Sequence, residues 1–139
     1  MPATQWTHAT IMEQLPAIIA DCLGVDESDV LPHSNFKSDL GGESIDELDL
    51  SFRCEKAFQV KGPFQPLVQL GHASLDNDGF IPLDVLQEFL RQFPFLATLV
   101  ADSGRTRFQP RQLMEFFTTD AIAHFVEAAI KRNGGSITL

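Results

Sequence analysis

Residues 15–58 read LPAIIADCLGVDESDVLPHSNFKSDLGGESIDELDLSFRCEKAF, and their pattern is the most informative in the chain. It contains the end of one apolar-periodic segment, a loop composition rich in Pro, Ser, Asn and Gly, and the whole of a second apolar-periodic segment. The loop, residues 26–42, is long for a compact domain, and such length is typical of functional loops. The pattern predicts two helices, at residues 7–23 and 44–58, on either side of this loop.

The rest of the chain adds helical patterns but no strand. Residues 119–131 form a Thr-capped apolar-periodic segment, and residues 83–93 have helical spacing. Residues 59–82 show no regular period between their Gly and Pro residues, and Pro94 opens a short apolar turn over residues 95–100. Because no run alternates with period two for long, the sequence predicts an all-α fold.

The composition is that of one globular domain, with 139 residues, 44% of them hydrophobic and 21% charged. A net charge of -9 would repel a phosphate backbone, so nucleic-acid binding is not expected. Cys22 and Cys54 lie in neither a CxxC pair nor a zinc-type cluster, so we expect free buried thiols and no metal site. No apolar run approaches the ~20 residues of a membrane span, and Met1–Thr10 lacks the features of a secretory signal. We therefore expect a cytoplasmic protein without stable membrane insertion.

Most of the acidity lies between residues 26 and 56, where nine acids against three bases give -6 of the net -9. Within this segment, residues 44–58 carry two apolar stripes at helical spacing. A small domain buries one stripe readily, so the other faces an added element from residues 59–108 or stays exposed for a partner. The first stripe consists of Leu50, Cys54 and Phe58, and the second of Ile45, Leu48 and Phe52.

Ser44 is the first residue of the second predicted helix. Taken alone, SIDE at residues 44–47 is typical of a capping box, in which the serine hydroxyl accepts from a backbone N–H group. A serine hydrolase is not indicated, because residues 42–46 lack the second glycine of G-x-S-x-G. Calcium binding at residues 74–79 is not indicated either, because Val85 stands where an EF-hand loop needs its bidentate glutamate.

Three features of residues 15–58 follow one another as in a known family. They are LGV at 23–25, Phe36 with DLG at 39–41, and GESID at 42–46. Without a gap, the stretch resembles acyl carrier proteins, whose attachment motif is Gly-x-Asp-Ser-Leu-Asp; here Glu replaces the Asp and Ile the Leu. Residues 110–130 are similar to the family's short third helix, here near 111–117, followed by its Thr-capped last helix.

This resemblance implies an up-down helical bundle forming one carrier domain over residues 1–139, with a helical insertion at 59–108 between the second and third family helices. It implies that Ser44 receives 4'-phosphopantetheine from coenzyme A through a phosphopantetheinyl transferase. The protein is then a carrier and not an enzyme: it becomes a phosphoprotein and holds acyl groups as thioesters on the arm. It would present them to synthases and acyltransferases of fatty-acid, lipid or lipopolysaccharide biosynthesis. We expect a monomer.

The resemblance also assigns roles to other residues. Enzymes with basic patches would dock on the acidic second helix, and the glycines before Ser44 would leave room for the transferase. The docking residues are Glu43, Ile45, Asp46, Glu47, Leu48, Asp49 and Phe52, and the candidate acyl-pocket residues are Leu50, Cys54, Phe58, Phe117 and Ile122. Arg53 departs from an uncharged family position.

Several alternatives stay open at this point. A peptidyl or aminoacyl carrier of nonribosomal or polyketide synthesis would have the same fold with a different cargo. A helical interaction module that is never modified is an alternative from a different functional class. The insertion at 59–108 either stabilises the bundle or enlarges the acyl pocket for an unusual or long acyl chain. The basic loop with Arg105, Arg107 and Arg111 pairs with the acidic second helix, contacts a membrane enzyme or is solvated.

Overall fold

A computed structural model describes residues 6–133 and the backbone of residues 137–138. Seven helices account for most of the described chain, so the prediction of an all-α fold is confirmed. They are α1 (His8–Leu23), α2 (Ser44–Phe58), α3 (Gln65–Gly71), α4 (Leu83–Gln92), α5 (Pro94–Asp102), α6 (Pro110–Leu113) and α7 (Thr119–Arg132). Short 3₁₀ turns cover Glu27–Asp29 and Met114–Phe116. None of the described helices is long and apolar enough to cross a bilayer.

One pair of very short strands adds to the helices. Strand β1 (Trp6–Thr7) pairs in parallel with β2 (Ile137–Thr138) and brings the two ends of the described chain together. Two residues are too few to produce a period-two pattern, which explains why the sequence does not predict them.

The long helices begin and end at residues that satisfy their terminal backbone groups. Thr7 caps α1 by accepting a hydrogen bond from the Thr10 N–H group at 3.0 Å, and Gly24 ends it with φ 69°. Thr118 caps α7 in the same way, accepting from Ala121 N at 3.2 Å. These caps set the predicted bounds of both helices within one residue.

Helix α7 lies at the centre of the fold, against α1 and α2. The residues between α2 and α6 pack on its outer side through an aromatic cluster. In that cluster the Phe93 ring centroid lies 4.7 Å from Phe125 of α7, and Phe95 lies 5.7 Å from it. Residues 59–108 therefore share the core of the bundle.

Within residues 59–108 one helix was not identified from the sequence, and one prediction is wrong. Residues 65–71 form α3, although no period was visible there, because a helix of seven residues makes too few turns to repeat a pattern. Residues 95–100 belong to helix α5 and not to a turn, since Pro94 occupies the first helical position, where its missing N–H group is not needed.

Candidate attachment site

Ser44 is the first residue of α2, and its side chain is exposed. The N-cap is Glu43, whose backbone N–H group donates to Asp46 Oδ2 at 2.8 Å. The predicted capping box of Ser44 with Glu47 is therefore wrong by one residue: the acid before Ser44 occupies the cap and the serine begins the helix. As a result, the Ser44 hydroxyl lies at the surface beside the N–H groups of the first turn.

Gly42 is held against Phe36 of the preceding loop. Its N–H group donates to Phe36 O at 2.8 Å, and an added Cβ atom would lie 2.3 Å from the Phe36 ring. No side chain fits in that space. This close approach fixes the chain two residues before Ser44. Gly42 therefore allows the backbone to pack against Phe36, whereas the sequence suggested only that the glycine leaves space for a transferase.

The loop that carries Phe36 is joined to the segment before α7. The buried Asn35 amide donates to Met114 O at 3.1 Å and Glu115 O at 3.0 Å, and its Oδ1 accepts from Lys37 N and Ser38 N. Phe36 N donates to Phe117 O at 3.0 Å. These bonds satisfy the polar groups of Asn35 and attach the loop before Ser44 to the segment that precedes α7. No pattern in the sequence indicated this role for Asn35.

The surface around Ser44 is anionic, although two of its acids are paired. Lys37 Nζ lies 3.1 Å from Glu47 Oε1, and Arg53 Nε lies 3.1 Å from Asp49 Oδ2 one turn away on α2. The bond to Asp49 raises the pKa of Arg53. Arg53 thus offsets the charge of Asp49 and leaves Glu43 as an exposed acid directly beside Ser44.

The two apolar stripes of α2 have opposite environments. Leu50 and Cys54 are fully buried and Phe58 is almost so. The second stripe is exposed, with accessible fractions of 73% for Ile45, 58% for Leu48 and 61% for Phe52. Residues 59–108 therefore leave the second stripe exposed, on the same helix that begins with Ser44.

A cavity of about 640 Å³ opens beside Ser44, between α2, α3 and the segment around α6. Its size is within the range of small-molecule sites. Its lining includes Ser44 and Leu48 of α2, Phe64, Leu67 and Val68 in and before α3, and Phe117. Of the five candidate pocket residues, Phe117 lines this cavity, while Leu50, Cys54, Phe58 and Ile122 lie in the hydrophobic core. Sequence reasoning missed the α3 residues because α3 itself was missed.

Both cysteines are free thiols. Burial raises the pKa of Cys54 to about 12, and burial together with the nearby Asp49 raises the pKa of Cys22 to about 11. Near neutral pH the chain's own thiols therefore stay protonated and are weak nucleophiles.

The basic loop after α5 does not pair with α2. Arg105 Nη1 lies 2.8 Å from Glu115 Oε2, and Arg107 Nη2 lies 2.5 Å from Asp76 Oδ2. Asp76 also accepts from Phe80 N and Asp78 N, and these bonds hold its pKa below the usual range. The acidic turn at 74–79 is therefore paired with the basic loop.

Part of the chain matches the model of a known protein family. The family model described as a phosphopantetheine attachment site matches residues 13–76, which include most of α1, the loop, α2 and α3. No solved structure matches the chain. Domains of this family carry a 4'-phosphopantetheine group and are not enzymes. Residues 13–76 are thus similar to a phosphopantetheine attachment domain, a similarity consistent with a member of the acyl carrier protein family.

Proposed function

We propose that Ser44 is the attachment residue and that the chain carries acyl groups as thioesters for enzymes of fatty-acid, lipid or lipopolysaccharide biosynthesis. The observation that carries this proposal is the position of Ser44, exposed at the first turn of α2, within the matched residues 13–76. The prosthetic group supplies the thiol that forms the thioester. Ser44 supplies only an accessible hydroxyl and needs no neighbouring base, because the transferase performs the chemistry.

The start of α2 suits a phosphodiester. The first N–H groups of a helix have no partner within the helix, and the positive end of the helix dipole favours an anion there. Gly42 and Phe36 hold the backbone on the other side of Ser44 in one position. This end of α2 would thus bind and orient the phosphate end of the arm.

The exposed face of α2 suits partner enzymes with basic patches. Acidic side chains would speed and orient the approach of such partners, and the exposed apolar stripe would bury area on contact. The proposed docking set is Glu43, Ile45, Asp46, Glu47, Leu48, Asp49 and Phe52. The phosphopantetheinyl transferase is the first partner, since the arm must be loaded before any cargo.

The cavity beside Ser44 supports a specialised carrier. It lies against the serine, and its apolar walls include Leu67 and Val68 of the insertion. An acyl chain folded back from the arm could enter it without reaching the closed core. We therefore regard residues 1–139 as one carrier domain with a helical insertion at 59–108 that provides room for an unusual or long acyl chain. A monomeric state and a cytoplasmic location complete the proposal.

Attachment is tested by intact mass after incubation with coenzyme A and a broad-specificity phosphopantetheinyl transferase. The wild type and Ser51→Ala should each gain one phosphopantetheinyl unit, while Ser44→Ala gains none. Ser51 is a matched control because it lies two turns along α2 and lines the same cavity. A wild type that stays unmodified would leave a helical interaction module as the remaining reading, and loading of Ser44→Ala would place the attachment elsewhere.

The cargo is tested with a series of acyl chain lengths on the loaded protein, measuring thioester cleavage by hydroxylamine. Leu67→Trp fills the cavity, whereas Leu83→Trp adds the same group at an exposed position of α4. Long chains should lose protection in Leu67→Trp only. Equal protection in both variants, or in a folded deletion of residues 59–108, would contradict the proposed role of the insertion.

The same cleavage assay, applied to aminoacyl thioesters as well, separates acyl from peptidyl or aminoacyl cargo. The apolar lining favours an acyl chain, because a charged aminoacyl group gains nothing from entering it. Protection of aminoacyl thioesters without protection of acyl thioesters would reverse this choice.

A further inference from the structure

Four side chains that take no part in the carrier site converge where α1 meets α7. His8 is the first residue of α1, and Asp120, His124 and Glu127 follow one face of α7. His8 Nε2 lies 2.8 Å from Asp120 Oδ1, and His8 Nδ1 contacts Glu127 Oε1. His124 lies near the same two acids, with Nε2 3.6 Å from Asp120 Oδ2 and Nδ1 3.7 Å from Glu127 Oε2.

The two imidazole rings lie one above the other, with their centroids 4.6 Å apart and an interplanar angle of 30°. Each acid therefore faces the same nitrogen of both rings. Glu127 is at the two Nδ1 atoms and Asp120 at the two Nε2 atoms. One ligand atom each from His8, His124 and Glu127 lies within 4.8 Å of the others.

We propose that His8, His124 and Glu127 form a binding site for a divalent transition-metal ion, with zinc as the ion of choice. Two imidazole nitrogens and one carboxylate oxygen are a known zinc ligand set that leaves a fourth position for water. Zinc bonds of ~2.0–2.1 Å put tetrahedral ligand atoms ~3.4 Å apart, so the His8 and Glu127 side chains would draw toward His124 by rotation.

Asp120 gives this arrangement its second supporting feature. A metal-bound histidine usually donates its other ring N–H group to a carboxylate, which fixes the tautomer and the ring orientation. Asp120 Oδ1 lies within hydrogen-bond distance of His8 Nε2, at 2.8 Å, and Asp120 Oδ2 lies 3.6 Å from His124 Nε2. With the ring proton of each histidine on Nε2, the Nδ1 atoms that lie toward Glu127 would be free to bind the ion. With neutral imidazoles the cluster has two negative charges and no cationic side chain in these contacts, and a divalent cation would balance them.

The surroundings of the cluster leave it accessible to an ion from solvent and hold the His124 ring in place. His8 and His124 have 36% and 30% of their side chains exposed, so an ion reaches them from solvent. His124 and Glu127 stand three residues apart on α7, a spacing that helical metal sites use. Phe95 of α5 stacks on the His124 ring at 4.4 Å and 18°, which restricts its rotation. From the sequence no metal site is predicted, because His8 and His124 lie near opposite ends of the chain.

The site is tested by isothermal titration of tag-free protein with zinc. One ion should bind per chain, and the affinity should fall at least tenfold in both Glu127→Gln and His124→Gln. His72→Ala is the matched control, since His72 is an exposed histidine directly after α3 and belongs to none of these contacts, and its affinity should match the wild type. Cobalt should give the intense visible bands of a four-coordinate site in the wild type and the control, and not in Glu127→Gln or His124→Gln.

Zinc should also raise the unfolding temperature of the wild type, because it joins the first residue of α1 to α7, and should protect His8 and His124 from diethyl pyrocarbonate. The protection readout uses the wild type and decides the matter if a variant fails to fold. The proposal would be overturned if the wild type bound no stoichiometric zinc, or if both variants bound zinc as tightly as the wild type. The cluster would then be a set of ion pairs between α1 and α7. None of these readouts depends on loading of Ser44.

Discussion

The two apolar faces of α2 differ in environment although they are made of similar residues. Leu50, two residues after Leu48, is fully buried, while Leu48 is 58% exposed. The buried face joins α2 to the hydrophobic core, and the exposed face lies beside Ser44 and its acidic neighbours. Hydrophobic spacing therefore identifies a helix, but only the packing of distant segments decides which face holds the fold and which is available to partners.

The largest effect expected from this difference is on stability. Leu50→Ala should lower the free energy of unfolding by about 2–5 kcal/mol, because it opens a cavity in the core. Leu48→Ala, the same chemical change on the exposed face, should change it by less than about 0.5 kcal/mol. Urea unfolding followed by circular dichroism measures both. Equal losses in the two variants would mean that the exposed stripe is covered in solution.

The positions of the three long helices could be predicted from the sequence. The bounds of α2 were predicted to the residue, and those of α1 and α7 to within one residue, because caps and glycines mark helix ends locally. The site was less accessible to sequence reasoning. The sequence indicated Ser44 as the cap of α2, and assigning Glu43 to that position required its contact with Asp46. The α3 wall of the cavity and the joining of His8 to α7 depend on contacts between distant residues, which no local pattern records.

A second prediction concerns how the Ser44 turn is held. Gly42→Ala should destabilise the fold by about 1–3 kcal/mol, because the added Cβ overlaps the Phe36 ring. Gly71→Ala is the control, since its Cβ would meet nothing within 4 Å and α3 gains helix propensity. Thermal unfolding of both variants measures the difference. A Gly42→Ala protein as stable as Gly71→Ala would show that the turn relaxes freely.

A third prediction sharpens the role of the exposed face. Phe52→Ala should lower kcat/KM for loading by the transferase roughly tenfold while leaving stability unchanged, as expected when one apolar contact of an interface is truncated. Lys56→Ala, an exposed change one turn further along α2, is the control. Loading should also slow as salt rises, because the acids around Ser44 act through screened long-range attraction. Unchanged loading of Phe52→Ala would remove Phe52 from the docking set.

The smallest expected effect comes from the thiol on the buried face. Burial raises the pKa of Cys54 from 9.0 to about 12, so above pH 9 the unfolded chain releases a proton that the folded chain keeps. The free energy of unfolding should therefore be unaffected by this group below pH 9 and fall as pH rises from 9 toward 12. The chain contains no tyrosine, which removes one other group that would titrate in this range.

Cys54→Val should make this dependence of the unfolding free energy on pH shallower, and Cys22→Val should do so less, since Cys22 is only partly buried. Urea midpoints measured from pH 8 to 10.5 give the slopes, and a slope in Cys54→Val equal to that of the wild type would mean that the buried face of α2 admits water.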